Sequence, residues 1–170
     1  MKLLQLVVVA SSILLSLAAQ AEHTRITNPN ALGLELLGRG MLYTLNYDRV
    51  ISDDMSAGFG IGTVSTRFLN DQDTGKSATL VPAYLNYYLT RDAGSLFGSA
   101  GVTLVTNSSD VKGFKSSTGN LEFPSGAILP TFGVGYENRG DAGFLVRVTA
   151  YGVLGKSLTP WLGFMFGFAF

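Results

Sequence analysis

The carboxyl-terminal eleven residues, 160–170, read P-W-L-G-F-M-F-G-F-A-F and constrain the fold more than any other stretch. Counting back from the end, every second residue is large and apolar: Phe170, Phe168, Phe166, Phe164 and Leu162. The positions between are Ala169, Gly167 and Gly163, with Met165 as the one bulky exception. A period of two is the period of a β-strand, so one face of this segment is a continuous hydrocarbon wall. Either a second sheet or lipid has to cover it.

The amino terminus selects lipid. Lys2 precedes an apolar run over 3–17, and Ala19-Gln20-Ala21 is a small-x-small cleavage site. That pattern predicts a secretory signal peptide over 1–21 and a mature chain starting at Glu22. The apolar run is short for a membrane helix, and no later segment approaches the roughly 20 continuous apolar residues one requires. The chain holds no cysteine, which rules out lipid attachment to a cysteine and a disulfide framework. Acidic and basic residues number 12 each, so charge gives no reason to expect a nucleic acid or other polyanion partner. A membrane protein without such a helix must close a barrel, because open sheet edges cannot face hydrocarbon. Export, alternation and a final phenylalanine together point to a bacterial outer-membrane β-barrel. Roughly 150 mature residues make one domain.

Alternation recurs along the chain. The expected strands carry Leu32, Leu34 and Leu36; Tyr43, Leu45 and Tyr47; Ala57, Phe59 and Ile61; Val81, Ala83, Leu85 and Tyr87. They continue with Leu96, Ala100, Val102 and Leu104; Ile128, Phe132 and Val134; Phe144, Val146, Val148 and Ala150; and the terminal strand. Counted with 38–40 as a turn, this is an all-β, eight-stranded antiparallel up-and-down transmembrane barrel over 31–170, preceded by a periplasmic tail over 22–30. Bacterial single-chain barrels have even strand numbers, short periplasmic turns and longer outside loops. That asymmetry puts 69–77, 107–126 and 154–159 outside and both termini in the periplasm.

The segment 30–49, N-A-L-G-L-E-L-L-G-R-G-M-L-Y-T-L-N-Y-D-R, together with the terminal F-G-F-A-F, resembles the small outer-membrane β-barrel family, the OmpA/OmpX-type eight-stranded barrels. The resemblance covers the mature chain, without the peptidoglycan-binding domain found after some such barrels. It implies that Phe164, Phe166, Phe168 and Phe170 form the signal read by the barrel-assembly machinery, with outer-membrane lipid and lipopolysaccharide as surroundings. It does not imply an activity, because barrels of this size host unrelated functions.

The sequence offers little for catalysis. Its one histidine, His23, falls in the tail. Enzymatic small barrels resemble one another in needing a histidine in the wall or outer rim, so no enzyme, cofactor or metal site is expected. Gly58-Phe59-Gly60-Ile61-Gly62 matches part of a dinucleotide loop but sits in a strand with no helix after it. Asp71-Gln72-Asp73-Thr74-Gly75 begins like a calcium loop but lacks the third acidic ligand and the closing glutamate.

The charged strand residues Glu35, Asp48, Glu137 and Arg147 all fall on the face opposite the apolar one, as do Thr44, Asn46, Tyr84, Asn86, Tyr88, Thr103, Thr131 and Tyr151. In a barrel that face is the lumen, just wide enough at eight strands for side chains to fill. Glu35, Arg147 and Glu137 are therefore expected to form an ionic plug. Glu35 and Arg147 are expected to approach each other across a terminal strand whose inner face offers mainly Gly and Ala. The loop over 107–126, with Asp110, Lys112, Phe114, Lys115 and Phe123, is the candidate surface contact for an unknown ligand. Three roles are open. One is a plugged barrel that is structural or presents its loops. Another is a narrow pore or route for small apolar solutes, given the many lumen glycines. The last is a soluble periplasmic β-sandwich or lipocalin-like binder.

Overall fold

In the computed structural model the described residues are 24–65, 77–106, 115–116, 119–120, 126–155 and 158–170. The expected signal peptide, His23, the Asp71–Gly75 motif and most of the 107–126 loop lie outside them. Of the candidate contact residues, only Lys115 falls within a described element, and by its backbone alone.

A single turn of helix, α1 (Thr24–Thr27), precedes ten strands: β1 (Asn30–Leu36), β2 (Tyr43–Ser52), β3 (Met55–Ser65), β4 (Ser77–Tyr88), β5 (Gly94–Thr106), β6 (Lys115–Ser116), β7 (Gly119–Asn120), β8 (Ile128–Arg139), β9 (Phe144–Leu154) and β10 (Leu158–Ala169). The two-residue strands β6 and β7 pair only with each other, a short hairpin within the long loop. The other eight close a barrel in the order β1-β10-β9-β8-β5-β4-β3-β2, every neighbour antiparallel. This is the up-and-down connectivity expected from the alternation.

The seam is made by the chain's two ends. β1 pairs with β10 from Ala31 opposite Ala169 to Leu36 opposite Phe164. Beyond the ladder, Asn30 N–H donates to Phe170 C=O at 3.0 Å and Phe170 N–H donates to Asn30 C=O at 2.8 Å. The terminal strand starts at Leu158 rather than at Pro160, so the loop before it is shorter than expected.

The wall is apolar outside and polar within. Phe164, Phe166, Phe168 and Phe170 are between 37% and 55% exposed, while Met165 between them is 1% exposed. Glu35, Asp48, Glu137 and Arg147 point into the lumen and are buried. A soluble sandwich has the opposite distribution. Burying an unpaired charge costs far more than burying hydrocarbon, so this polarity is stable only where the outside medium is itself apolar.

Two ends can be distinguished. The terminal end carries Asn30, Phe170 and the tight turns at 53–54, 90–93 and 140–143. The loop end is the opposite one, where β3, β5 and β9 finish. At the loop end β1 stops at Leu36, and the 158–163 half of β10 runs on past it. The chain turns inward over 37–42, with Leu37 and Met41 at φ of 63° and 66°. Leu37 N–H donates to Leu42 C=O at 2.8 Å, and the Trp161 indole N–H donates to the Leu37 carbonyl. The expected tight turn at 38–40 is thus a stopper folded into the mouth. Met41 joins Val64, Ala78, Leu80, Val105, Leu129 and Val153 in an apolar cluster inside the barrel.

Candidate functional site in the barrel lumen

Below that apolar cap the lumen holds two ionic layers. The upper one is centred on Glu35, from β1. Its Oε1 accepts from the Tyr151 hydroxyl at 2.7 Å. Its Oε2 faces the Thr44 hydroxyl, the Asn46 amide and the Arg39 backbone N–H, each at 3.3 Å. The inward turn brings the Arg39 side chain down beside it, with Nη1 3.8 Å from Glu35 Oε1. The guanidinium lies 3.7 Å from the Tyr84 ring centroid and 4.7 Å from that of Tyr151. Stacking between rings suits a planar, weakly hydrated cation. Arg39 Nη2 also donates to the Ser99 hydroxyl, which donates to Asn86 Oδ1 at 2.8 Å.

The lower layer is centred on Glu137 and Arg147, which are register partners on β8 and β9. Arg147 Nε donates to Glu137 Oε2 at 2.8 Å, and its Nη2 donates to Asp48 Oδ2 at 2.9 Å and to the same Glu137 oxygen. Tyr88 O–H donates to Glu137 Oε2 at 2.9 Å. Arg139 closes the layer, Nε 3.4 Å from Glu137 Oε1 and Nη2 3.9 Å from Asp48 Oδ1. Asn86 links the two layers, its amide 3.4 Å from Asp48 Oδ2 and 3.0 Å from the Ser56 hydroxyl.

The terminal end is corked by the segment expected to be a tail. Arg25 of α1 enters the barrel and is 1% exposed, donating to the carbonyls of Thr90 at 3.2 Å and Asp92 at 3.3 Å. Its guanidinium lies 3.8 Å from the Tyr88 ring centroid, and its Nε 3.7 Å from Glu137 Oε1. Arg139 Nη1 donates to the Asn28 carbonyl at 3.0 Å, tying the same segment down. The site therefore buries four guanidiniums, of Arg25, Arg39, Arg139 and Arg147, against three carboxylates, of Glu35, Asp48 and Glu137.

The expected pairing of Glu35 with Arg147 is corrected by this geometry. Glu35 belongs to the upper layer with Arg39, and Arg147 belongs to the lower one with Glu137 and Asp48. Met165 is the physical reason. It stands opposite both Glu35 and Arg147 in the register and packs inward with Ala31, Leu145 and Ala169, filling the space expected to be free. Alternation located Glu35, Asp48, Glu137 and Arg147. It does not reach Arg25 or Arg39, which arrive from a helix and a turn, whereas Arg139, two residues past Glu137 on β8, shares that face by the same period.

Several lumen glycines lie under side chains of neighbouring elements. A Cβ at Gly58 would strike the Tyr84 ring, one at Gly135 the Phe97 ring and one at Gly133 that of Tyr151. At Gly163 it would meet the Gly38 Cα and Tyr151. These four glycines seat aromatic side chains of neighbouring elements, while a Cβ at Gly167 would meet only the backbone of Leu32 and Gly33. Among the described residues no group of three acidic, histidine or cysteine side chains is placed to hold a metal ion.

Comparison with known proteins agrees with the architecture. No family model matches the chain. No curated protein matches it. Among solved structures it is similar to the crystal structure of the N-terminal β-barrel domain of Pseudomonas aeruginosa OprF, with a TM-score of 0.56 and 16% sequence identity. The match covers 84% of this chain and 98% of that one. At that identity the likeness is one of fold, a closed eight-stranded antiparallel barrel.

Proposed function

We propose that this chain is an integral outer-membrane barrel whose lumen is shut, serving as a structural element of the envelope or as a platform for its loops. The observation that carries the reading is the continuous filling of the lumen: apolar cap, Glu35–Arg39 layer, Glu137–Arg147–Asp48 layer and Arg25 cork. A solute crossing the barrel would have to separate ion pairs whose members are at most 1% exposed. Separating a buried pair costs about 3–5 kcal/mol when one partner is lost, and two such layers lie in series.

An outer-membrane location is supported by the apolar outer wall, the aromatic side chains Tyr47, Tyr87, Tyr136 and Phe170 toward the terminal end, and the export signal read in 1–21. In this reading the terminal end is periplasmic. The barrel-assembly machinery reads Phe164, Phe166, Phe168 and Phe170, lipopolysaccharide surrounds the loop end, and Asp110, Lys112, Phe114, Lys115 and Phe123 present the contact surface. No enzymatic step is part of the reading.

Two measurements test it. Membrane fractionation should recover the protein only with detergent and show heat-modifiable gel mobility. Purified protein in planar bilayers should give no discrete conductance steps. Regular single-channel openings would replace the shut lumen with a narrow pore, and extraction without detergent would defeat the membrane reading altogether.

A further inference from the structure

Among the described residues, Arg49 is the one charged side chain on the outward face of any barrel strand. Every other outward position over β1–β5 and β8–β10 is apolar, glycine or uncharged polar. Arg49 is exposed, and its guanidinium has no hydrogen-bond or ion-pair partner among the described residues. The other exposed arginine of the barrel, Arg91, is paired in a turn, 3.3 Å from Asp53 and 3.2 Å from Asp54. A lone cation on a lipid-facing wall is costly unless it reaches the interface or meets an anion there.

Its surroundings supply a second, independent feature. Arg49 lies opposite Asn30, the first residue of β1, on one side and Ala57 on the other. Around Ala57 the outward wall dips where small residues stand against large ones: Ala57 and Ala100 flank Leu85, and Ala83 lies opposite Phe59. The dip is a groove of about 760 Å³ with Arg49 at its terminal end. One flank is the Tyr47–Phe59 ring pair, with centroids 5.6 Å apart. The Tyr47 hydroxyl is held by Asn30 Oδ1 at 2.7 Å, which fixes that flank. Apart from Arg49, no charged side chain lines the groove.

We infer that Arg49 and the alanine groove form a binding site for one anionic glycerophospholipid, phosphate on Arg49 and an acyl chain lying over Ala57, Ala83 and Ala100. Charge complementarity selects the headgroup: an unpaired guanidinium at headgroup depth binds a phosphate oxygen in a fork that a zwitterionic lipid partly neutralises itself. The groove selects the chain, because an apolar trench beside the cation suits hydrocarbon and leaves nothing to hydrogen-bond water. The choice of phospholipid over the phosphates of lipid A rests on the proposed function, which puts the terminal end in the periplasmic leaflet.

The test uses the full mature chain folded in detergent, exposed to equimolar dimyristoylphosphatidylglycerol and dimyristoylphosphatidylcholine and weighed by native mass spectrometry. Wild-type protein should retain the anionic lipid roughly fivefold better, the worth of one interfacial cation. Arg49→Gln should abolish the preference and Arg49→Lys should keep most of it. Ala83→Phe should lower retention of both lipids, while heat-modifiable mobility certifies that each variant is folded. Equal retention by wild type, or a preference that survives Arg49→Gln, overturns the site. So does a lipid A phosphate that displaces phosphatidylglycerol, or a dimer mass that disappears with Ala83→Phe, which would assign the groove to a second copy. A chain that does not fold into detergent or vesicles sinks the membrane reading and this site with it. A folded chain without lipid preference sinks the site alone.

Discussion

Glu137 and Arg147 face each other directly across β8 and β9, and Asp48 reaches the same guanidinium from β2. The pair is therefore a cross-strand contact and a bridge across the lumen at once. Its energetic meaning follows from burial. Removing either partner leaves an ion with no water to turn to, whereas removing both leaves a space that neutral groups can share.

A double-mutant cycle should show this. Arg147→Met and Glu137→Gln are each expected to cost about 3–5 kcal/mol in detergent or lipid unfolding. Together they should cost clearly less than the sum, with a coupling of about 0.5–3 kcal/mol. The same cycle with Glu35→Gln in place of Glu137→Gln should be close to additive, because Met165 separates those two groups. Arg91→Gln, which breaks an exposed pair, should leave the unfolding midpoint where it was. Additivity at Glu137 would mean that the lower layer is not a coupled unit.

Small residues on the two faces should respond oppositely. Gly58→Ala places a methyl group against the Tyr84 ring, and overpacking of that kind costs about 1–3 kcal/mol. Gly98 faces outward with open space beside it, so Gly98→Ala should be neutral or should stabilise the strand by about 0.5–1 kcal/mol. Chemical unfolding of both variants decides the matter. A Gly58→Ala protein as stable as wild type would show that Tyr84 does not occupy the lumen as described.

Val148 faces out beside Phe164 and Tyr136. In a membrane, Val148→Arg should cost about 2–4 kcal/mol if it lies near mid-depth, while Val148→Leu should refold into vesicles as wild type does. Equal refolding of the two variants would show that this face does not contact hydrocarbon.

Deleting Phe170 removes two backbone hydrogen bonds at the seam along with the last outward aromatic. Yield of folded protein in the outer-membrane fraction should fall sharply, while the same chain refolded from urea into detergent should be only modestly less stable. Normal membrane yield would separate assembly from this residue.

The strands were legible because a period of two is enforced twice here, by hydrocarbon outside and by polar packing inside. Every outward residue named from alternation, from Leu32 to Phe168, does face outward. Register follows from the same rule, since slipping by one residue would exchange the faces. The lumen chemistry was half legible. Strand residues such as Glu35 and Arg147 announce their direction through their neighbours, but Arg25 and Arg39 sit where the chain has no period, and long flexible side chains reach in from there. The Glu35–Arg147 expectation failed for a related reason. Met165 is the exception in a row of small residues, and its volume decides which ions can meet.

The seam has a consequence for how this molecule comes into being. Arg147 binds Asp48 at a sequence separation of 99, Arg139 binds Asn28 at 111 and Tyr151 binds Glu35 at 116. The segment from Asn28 to Asp48 and the segment from Arg139 to Tyr151 thus hold partners for each other. A half-built barrel would keep the local pairs Glu35–Arg39 and Glu137–Arg147 but would leave Asp48 without either of its guanidiniums. The network so acts as a completion check. These long-range partners meet only when the final strands are in place, so their contribution arrives with closure.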